Sequence, residues 1–256
     1  MDTLRGDKDV HSYYEPGMPA VEHMELALKP NFAEQIMWGS VTLHFDRSGP
    51  TYLDTRDLTI LSVFGLNGEL IDYITSGRHN VLGTRLAVTV PTDKAVTIHY
   101  KTSREASGLL WLAPEQTGGH PFLFSQGQAI NARSYVPCQD TPSRKVTFQI
   151  KLRVPQNLRG LAAATFIKRE ELANGLAEET WSSTKPLPSY LIAFAVGDVV
   201  ARDLSDRIRV WAEPNVIEAA AREFEDLPAI MRTAEDLFGP YPWDRYGLLV
   251  MPASFP

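Results

Sequence analysis

Cysteine is almost missing from this sequence: Cys138 is the one thiol in 256 residues. A lone thiol excludes an intrachain disulfide and a cysteine-built zinc site, and it fits a reducing compartment. Long hydrophobic runs are missing too. No window approaches the roughly 18 to 20 apolar residues of a membrane span. The opening residues carry Asp2, Arg5, Asp7, Lys8, Asp9, Glu15, Glu22 and Glu25 with no apolar run among them, which argues against a signal peptide. The expectation is a soluble, cytoplasmic protein that neither enters a membrane nor, with a net charge of −6, binds nucleic acid through charge.

Catalytic signatures are equally scarce. The six histidines, His11, His23, His44, His79, His99 and His120, include no H-E-x-x-H pair, the spacing that sets two imidazoles on one helical face. There is no Gly-x-Ser-x-Gly elbow and no phosphate loop. His23, with Glu22 and Glu25, reads as a solvated strand face rather than a metal site. His44 and His99 fall on the polar phase of their strands, and His120 lies in a loop before Pro121. Cys138, between Pro137 and Gln139, has no base beside it and reads as structural.

What is present is a hydrophobic content of 44% and a charged content of 22%, ordinary for a chain with a sizeable core. Val146, Phe148, Ile150, Leu152 and Val154 alternate with polar residues, which is the signature of a half-buried strand. Met24, Leu26 and Leu28 do the same, as do Val41, Leu43 and Phe45, then Leu86, Val88 and Val90, then Val96, Ile98 and Tyr100. Short strands divided by Gly, Pro, Asn and Asp turns predict antiparallel sheets. Tyr190–Val200 is more continuously apolar (Leu191, Ile192, Phe194, Val196 and Val199) and reads as one strand covered on both faces. Near residue 205 the character changes. Arg207–Glu213 reads as a strand and Asn215–Phe238 as a long helix, with Phe224, Leu227, Met231, Ala234 and Phe238 along one stripe. Asn215 is the expected cap, Pro228 a kink or division, and Gly239–Pro240 the stop. Tyr246–Met251 is a further short strand. The fold class is therefore mainly β, with a β domain over 1–205 and the opening of a second, α/β unit over 206–256.

The segment Leu110–Pro142, LWLAPEQTGGHPFLFSQGQAINARSYVPCQDTP, is unusually rich in Gln, Pro and aromatic residues. In an extended backbone Gln126 and Gln128 leave the same face. Paired amides of this kind suit a peptide's terminal amine and first carbonyl, or equally the stabilisation of a turn.

Words in and around this segment carry a resemblance. They are W-L-x-P-E-Q-T (Trp111–Thr117), H-P-F-L-F-S-Q-x-Q-A-I (His120–Ile130), P-C-Q-D-T-P-S (Pro137–Ser143) and D-x-H-S-Y (Asp9–Tyr13). Further ones are Y-L-D-T-R-D-L (Tyr52–Leu58), P-S-Y-L-I-A (Pro188–Ala193), V-G-D (Val196–Asp198), A-E-D-L-F-G-P-Y-P-W-x-x-Y (Ala234–Tyr246) and L-L-V-M-P-x-S-F-P (Leu248–Pro256). In this order they resemble the gluzincin zinc aminopeptidases of peptidase family M1, of the leukotriene hydrolase type.

The resemblance implies a saddle-like antiparallel β domain followed by the start of a thermolysin-like catalytic domain. It implies a zinc-dependent aminopeptidase that removes amino-terminal residues from peptides with a free N-terminus. Zinc would make a bound water acidic, a glutamate would take its proton, and the water would attack the first peptide carbonyl. Gln126, Gln128 and Ala129 would line the substrate cleft, Gln128 helping to hold the substrate's amino end. The G-x-M-E-N loop and the zinc helix of the family, which would follow S-F-P, are not in this sequence. None of the zinc ligands or catalytic groups can be assigned to a residue of this chain, so the chain alone is expected to be inactive and to bind no zinc. It would need the remainder of its own catalytic domain as a partner. Gly127 stands where some relatives carry a bulkier residue, a difference that either widens the pocket or is silent. The competing reading is a stand-alone, non-catalytic β module that binds a peptide terminus or a partner protein.

Overall fold

The computed structural model describes residues 8–255; Asp2, Arg5, Asp7 and Pro256 lie outside them. Alternating side chains on an extended backbone build its largest element, a seven-stranded sheet. The strands lie in the order Thr165–Glu171, Leu176–Pro188, Lys145–Pro155, Val21–Asn31, Ile36–Phe45, Ala95–Lys101 and Thr59–Phe64. Met24, Leu26, Leu28, Val41, Leu43, Val96 and Ile98 all point into one buried core, as do Phe148, Ile150 and Leu152.

Five of the six pairings in this sheet are antiparallel. The sixth is parallel: Val21–Asn31 runs alongside Lys145–Pro155, with Met24 beside Phe148, Leu26 beside Ile150 and Leu28 beside Leu152. Alternation reports which face a residue takes and carries nothing about strand direction, so the expectation of antiparallel pairing fails at this one place.

A four-stranded antiparallel sheet, ordered Arg159–Ala162, Phe194–Gly197, Phe122–Ser125 and Leu109–Leu112, shares the same core. A small sheet of Gly49–Thr55, Thr84–Val90 and Tyr73–Thr75 packs Leu53, Leu86 and Val88 into it as well. The apolar stretch Tyr190–Val200 is two strands rather than one. Phe194–Gly197 is buried along its whole length, while Val200–Asp203 joins a different sheet. The break falls at Asp198, a carboxylate that stays half-exposed instead of entering the core.

The third unit is a sheet of Val200–Asp203, Ile208–Ala212 and Tyr246–Leu249. Its last two strands are parallel, and parallel neighbours need a crossover. Two helices supply it, α1 (Ile217–Glu223) and α2 (Leu227–Phe238). The single predicted helix divides because Pro228, lacking an N–H, sits in the first turn of α2, where no donor is needed. Asn215 does not cap. The N–H groups of Val216 and Ile217 both turn back to the Glu213 carbonyl, and Val216 takes the cap position without a side-chain bond. Gly239, at φ 91°, ends α2 and donates its N–H to the Glu235 carbonyl.

The two helices differ in what they bury. α1 packs Ile217 and Ala220 on Val210 and Ala212. α2 leaves Ile230 58%, Leu237 68% and Phe238 86% exposed, while Phe224, Leu227 and Met231 are half-buried.

On the polar face of the large sheet, His23 and His44 are cross-strand partners with ring centroids 5.7 Å apart. His23 Nδ1 lies 2.7 Å from Thr147 Oγ1, and His44 Nε2 2.9 Å from Glu25 Oε1. Burial first, and then the His44 imidazole, hold His23 below its ordinary range, against the pull of Glu25. A depressed folded pKa means that the unfolded chain takes up this proton first, so stability rises with pH through the window below about 6.5. Urea midpoints measured between about pH 5 and about pH 8 should climb towards neutrality, and His23→Gln should flatten the climb. An unaltered slope in the variant would mean that His23 titrates as a free imidazole.

Candidate functional site

Leu109–Leu112 and Phe122–Ser125 form a hairpin, with Leu110 beside Phe124 and Trp111 beside Leu123. Leu112, Phe122 and Leu123 enter the core and seat it. Ser125 anchors its end: its hydroxyl donates to the Phe194 carbonyl at 3.1 Å and accepts the Phe194 N–H at 2.8 Å.

The chain then leaves the sheet in a surface turn. Gln126, Gln128 and Ala129 are exposed and Gly127 is buried between them. The two glutamines do not behave alike. Gln126 Oε1 curls back to accept the Gln128 N–H at 3.0 Å, a turn-stabilising role. Among the described residues the Gln128 side-chain amide has no hydrogen-bond partner, and it stands in solvent. The Gln126 N–H donates to the Gly108 carbonyl and the Asn131 N–H to the Gly127 carbonyl, each at 2.8 Å. The Gln128–Ala129 peptide is cis. No pocket is widened at Gly127. A Cβ there would lie 2.6 Å from the Tyr135 hydroxyl and 2.7 Å from the Tyr190 carbonyl oxygen, so the space a side chain would take is already filled.

Directly after the turn the backbone dives inward, and Ala132–Thr141 is buried throughout. Its centre is Arg133, whose side chain has 0% exposure. The guanidinium donates from Nε to Asp140 Oδ2 at 2.9 Å, and to the backbone carbonyls of Leu82 at 2.9 Å, His11 at 2.7 Å and Asp140 at 3.0 Å. Asp54 Oδ1 lies 3.7 Å away. Asp54 in turn accepts from the Ser12 hydroxyl, the Tyr13 N–H and the Asp140 N–H, at 2.6, 2.8 and 2.9 Å. Asp140 Oδ1 accepts from the Ser189 hydroxyl at 2.6 Å. Burial pushes the Asp54 carboxyl up from its ordinary value, against Arg133 and these hydrogen bonds.

Cys138 is buried within this cluster, and burial, with Asp140 and Asp54, drives its thiol well above the ordinary range. It is no nucleophile. His120 sits at the rim, 3.8 Å from Asp198. Among the described residues no three His, Cys, Asp or Glu side chains are grouped to hold a metal ion. A separate groove of about 830 Å³ lies among the four-stranded sheet, the sheet that ends in Tyr246–Leu249 and the outer strands of the seven-stranded sheet, walled by Phe124, Trp181, Phe194, Trp211, Trp243 and Leu249. Neither glutamine lines it.

A family model, the peptidase M1 N-terminal domain, matches residues 14–191. The chain belongs to that family. Leukotriene A-4 hydrolase of Xenopus laevis is 37% identical over 269 residues, covering 97% of this chain and 43% of its own length. Aminopeptidase B of Rattus norvegicus is 44% identical over 155 residues, 59% of this chain and 23% of its own. The structure of native yeast LTA4 hydrolase superposes with a TM-score of 0.90 at 31% identity, covering 99% of this chain and 41% of that one. An M1 zinc metallopeptidase from Deinococcus radiodurans shares the fold at a TM-score of 0.73 and 23% identity. The chain thus spans less than half the length of these first relatives.

For an M1 N-terminal domain the buried cluster explains why the sequence words sit where they do. D-x-H-S-Y, Y-L-D-T-R-D-L and P-C-Q-D-T-P-S are far apart in the chain, yet Ser12, Asp54 and Asp140 meet around Arg133. Spacing in the sequence does not reveal this cluster. Asp54 and Asp140 stand among other polar residues in their words, and Arg133 lies between two words and in neither, so no local pattern marks the three as partners.

Two outcomes follow from this packing. Arg133→Met should lower the unfolding free energy by about 3–5 kcal/mol, because it strands buried carboxylates; urea titration would read it, and a loss within error would mean that the carboxylates rehydrate freely. Gly127→Ala should cost about 1–3 kcal/mol by overpacking against Tyr135 and Tyr190, seen as a lower thermal midpoint.

Proposed function

We propose that this chain is the front portion of a zinc metallo-aminopeptidase that removes amino-terminal residues from peptides, and that it supplies one wall of the substrate cleft. The supporting observation is a pair of contacts on the hairpin that leads into the glutamine turn. Phe255, in the S-F-P word, lies edge-on to Phe124 with ring centroids 5.6 Å apart, and Ser254 donates to the Gln116 carbonyl. The segment that would lead into the amine-binding loop therefore runs beside the strand that delivers Gln126 and Gln128. In this reading Gln128, whose amide has no partner among the described residues, contacts the substrate's amino end; Gln126 holds the turn and Ala129 borders it.

The domain reading is a β saddle over residues 1–205 and the start of the catalytic domain over 206–256. The hairpin joining Val200–Asp203 to Ile208–Ala212 straddles that boundary. The exposed Ile230, Leu237 and Phe238 on α2 support a longer polypeptide over a stand-alone module, since an apolar stripe of this kind calls for cover. The remainder of the catalytic domain is the partner this assigns. The residues present do not fit zinc, because no group of three ligands is assembled among those described. The metal belongs instead to the downstream residues, where it would supply an acidic bound water. No helix among the described residues is long and apolar enough to cross a membrane, and a cytoplasmic location is part of the same proposal.

In the full-length polypeptide Gln128→Ala should reduce kcat/KM for a peptide with a free amine by more than about tenfold; an unchanged value removes Gln128 from the cleft. The 256-residue chain by itself should show no peptidase activity, and stoichiometric zinc in the purified chain by elemental analysis would contradict the assignment of the metal site to residues downstream.

A further inference from the structure

An exposed turn of small and amide side chains is mobile unless something behind it is rigid. Behind Gln126–Ala129 stands Asn131, which is half-buried. Its Nδ2 donates to the Gln128 carbonyl at 3.2 Å. Its Oδ1 accepts from Arg56 Nη1 at 3.0 Å and from the Ser107 hydroxyl at 2.9 Å. Arg56 also donates to Ser107 Oγ at 3.3 Å, so that hydroxyl is steered to pass its own proton on to Asn131. Guanidinium has no acceptor. The Asn131 oxygen must therefore face Arg56, and its NH₂ group must face Gln128; the amide has one orientation rather than two.

Arg56 is itself rooted. Its backbone N–H donates to the Arg133 carbonyl at 2.8 Å, which ties it to the buried cluster. A line of directed hydrogen bonds thus runs from the core through Arg56 and Asn131 to the carbonyl of Gln128. Fixing that carbonyl fixes the Gln128 peptide plane, and with it the direction in which the free Gln128 side chain leaves the backbone.

We propose that Asn131, oriented by Arg56 and Ser107, is a positioning residue that sets the aim of Gln128 and so tunes affinity for the substrate's amino-terminal residue. This rests on the reading of Gln128 as a substrate contact. Asn131 itself touches no substrate; it acts through the turn.

Asn131→Asp is the informative variant. The carboxylate keeps both donors, Arg56 and Ser107, but sets an oxygen against the Gln128 carbonyl where a donor stood. In the full-length polypeptide it should raise KM for a free-amine peptide about tenfold, with a smaller change in kcat and a nearly unchanged thermal midpoint. Combined with Gln128→Ala it should add almost nothing, since the residue it aims is gone. Ser107→Ala, which removes one of the two donors, should give a smaller effect of the same sign. Equal, additive losses in the double variant, or a silent Asn131→Asp beside an impaired Gln128→Ala, overturn the positioning role. A silent Gln128→Ala is distinguishable from both: it sinks the substrate contact, and the positioning role falls with it.

Discussion

A guanidinium taken wholly out of water must find partners for all its donors, and the cost of failing is several kcal/mol. At Arg133 the partners come from far apart in the chain: His11, Leu82 and Asp140 directly, with Asp54 alongside. Asp54 and Asp140 then draw in Ser12, Tyr13 and Ser189. No one of these segments can shift without leaving a charge or a carbonyl unmet. The amino-terminal segment, the small sheet and the loop after the glutamine turn are thereby locked to one another. The apolar core supplies the bulk of the cohesion, but this cluster decides the registration of the loops on it.

The exposed turn inherits its order from that cluster. It has a buried glycine jammed against two tyrosines, two backbone bonds at its ends, and an asparagine braced from behind. Among the described residues, its outward face carries an amide without a hydrogen-bond partner. A rigid back with an unsatisfied polar front is the arrangement that binding sites favour, because the ordering cost is met when the protein folds.

Much of the fold was legible as alternation. The strands around Met24–Leu28, Val41–Phe45, Leu86–Val90, Val96–Tyr100 and Val146–Val154 all appear with the expected faces buried. Pairing direction was not, because period two is the same read either way. The break at Asp198 was hidden by the apolar residues on both sides of it, and the missing cap at Asn215 by a turn that uses the Glu213 carbonyl instead. At the site, the glutamines stood out by composition, but their inequality did not: which amide folds back depends on a turn that only the three-dimensional path reveals. Arg56 and Asn131 are far apart in sequence, and nothing in either residue's surroundings links them. The resemblance to the M1 aminopeptidases identified the family; it carried no information on what holds the words together.

The parallel pairing of Val21–Asn31 with Lys145–Pro155 has a temporal consequence. His23 and Thr147 are joined across 124 residues, and the two strands are neighbours at the middle of the largest sheet. Closing so long a loop is entropically expensive before any contact rewards it, so such topologies fold slowly. On a ribosome, the first strand emerges with only its hairpin partner Ile36–Phe45 at hand, one edge open until the strand beginning at Lys145 has been made. That nascent edge, which carries Met24, Leu26 and Leu28, is where premature association with other chains would start.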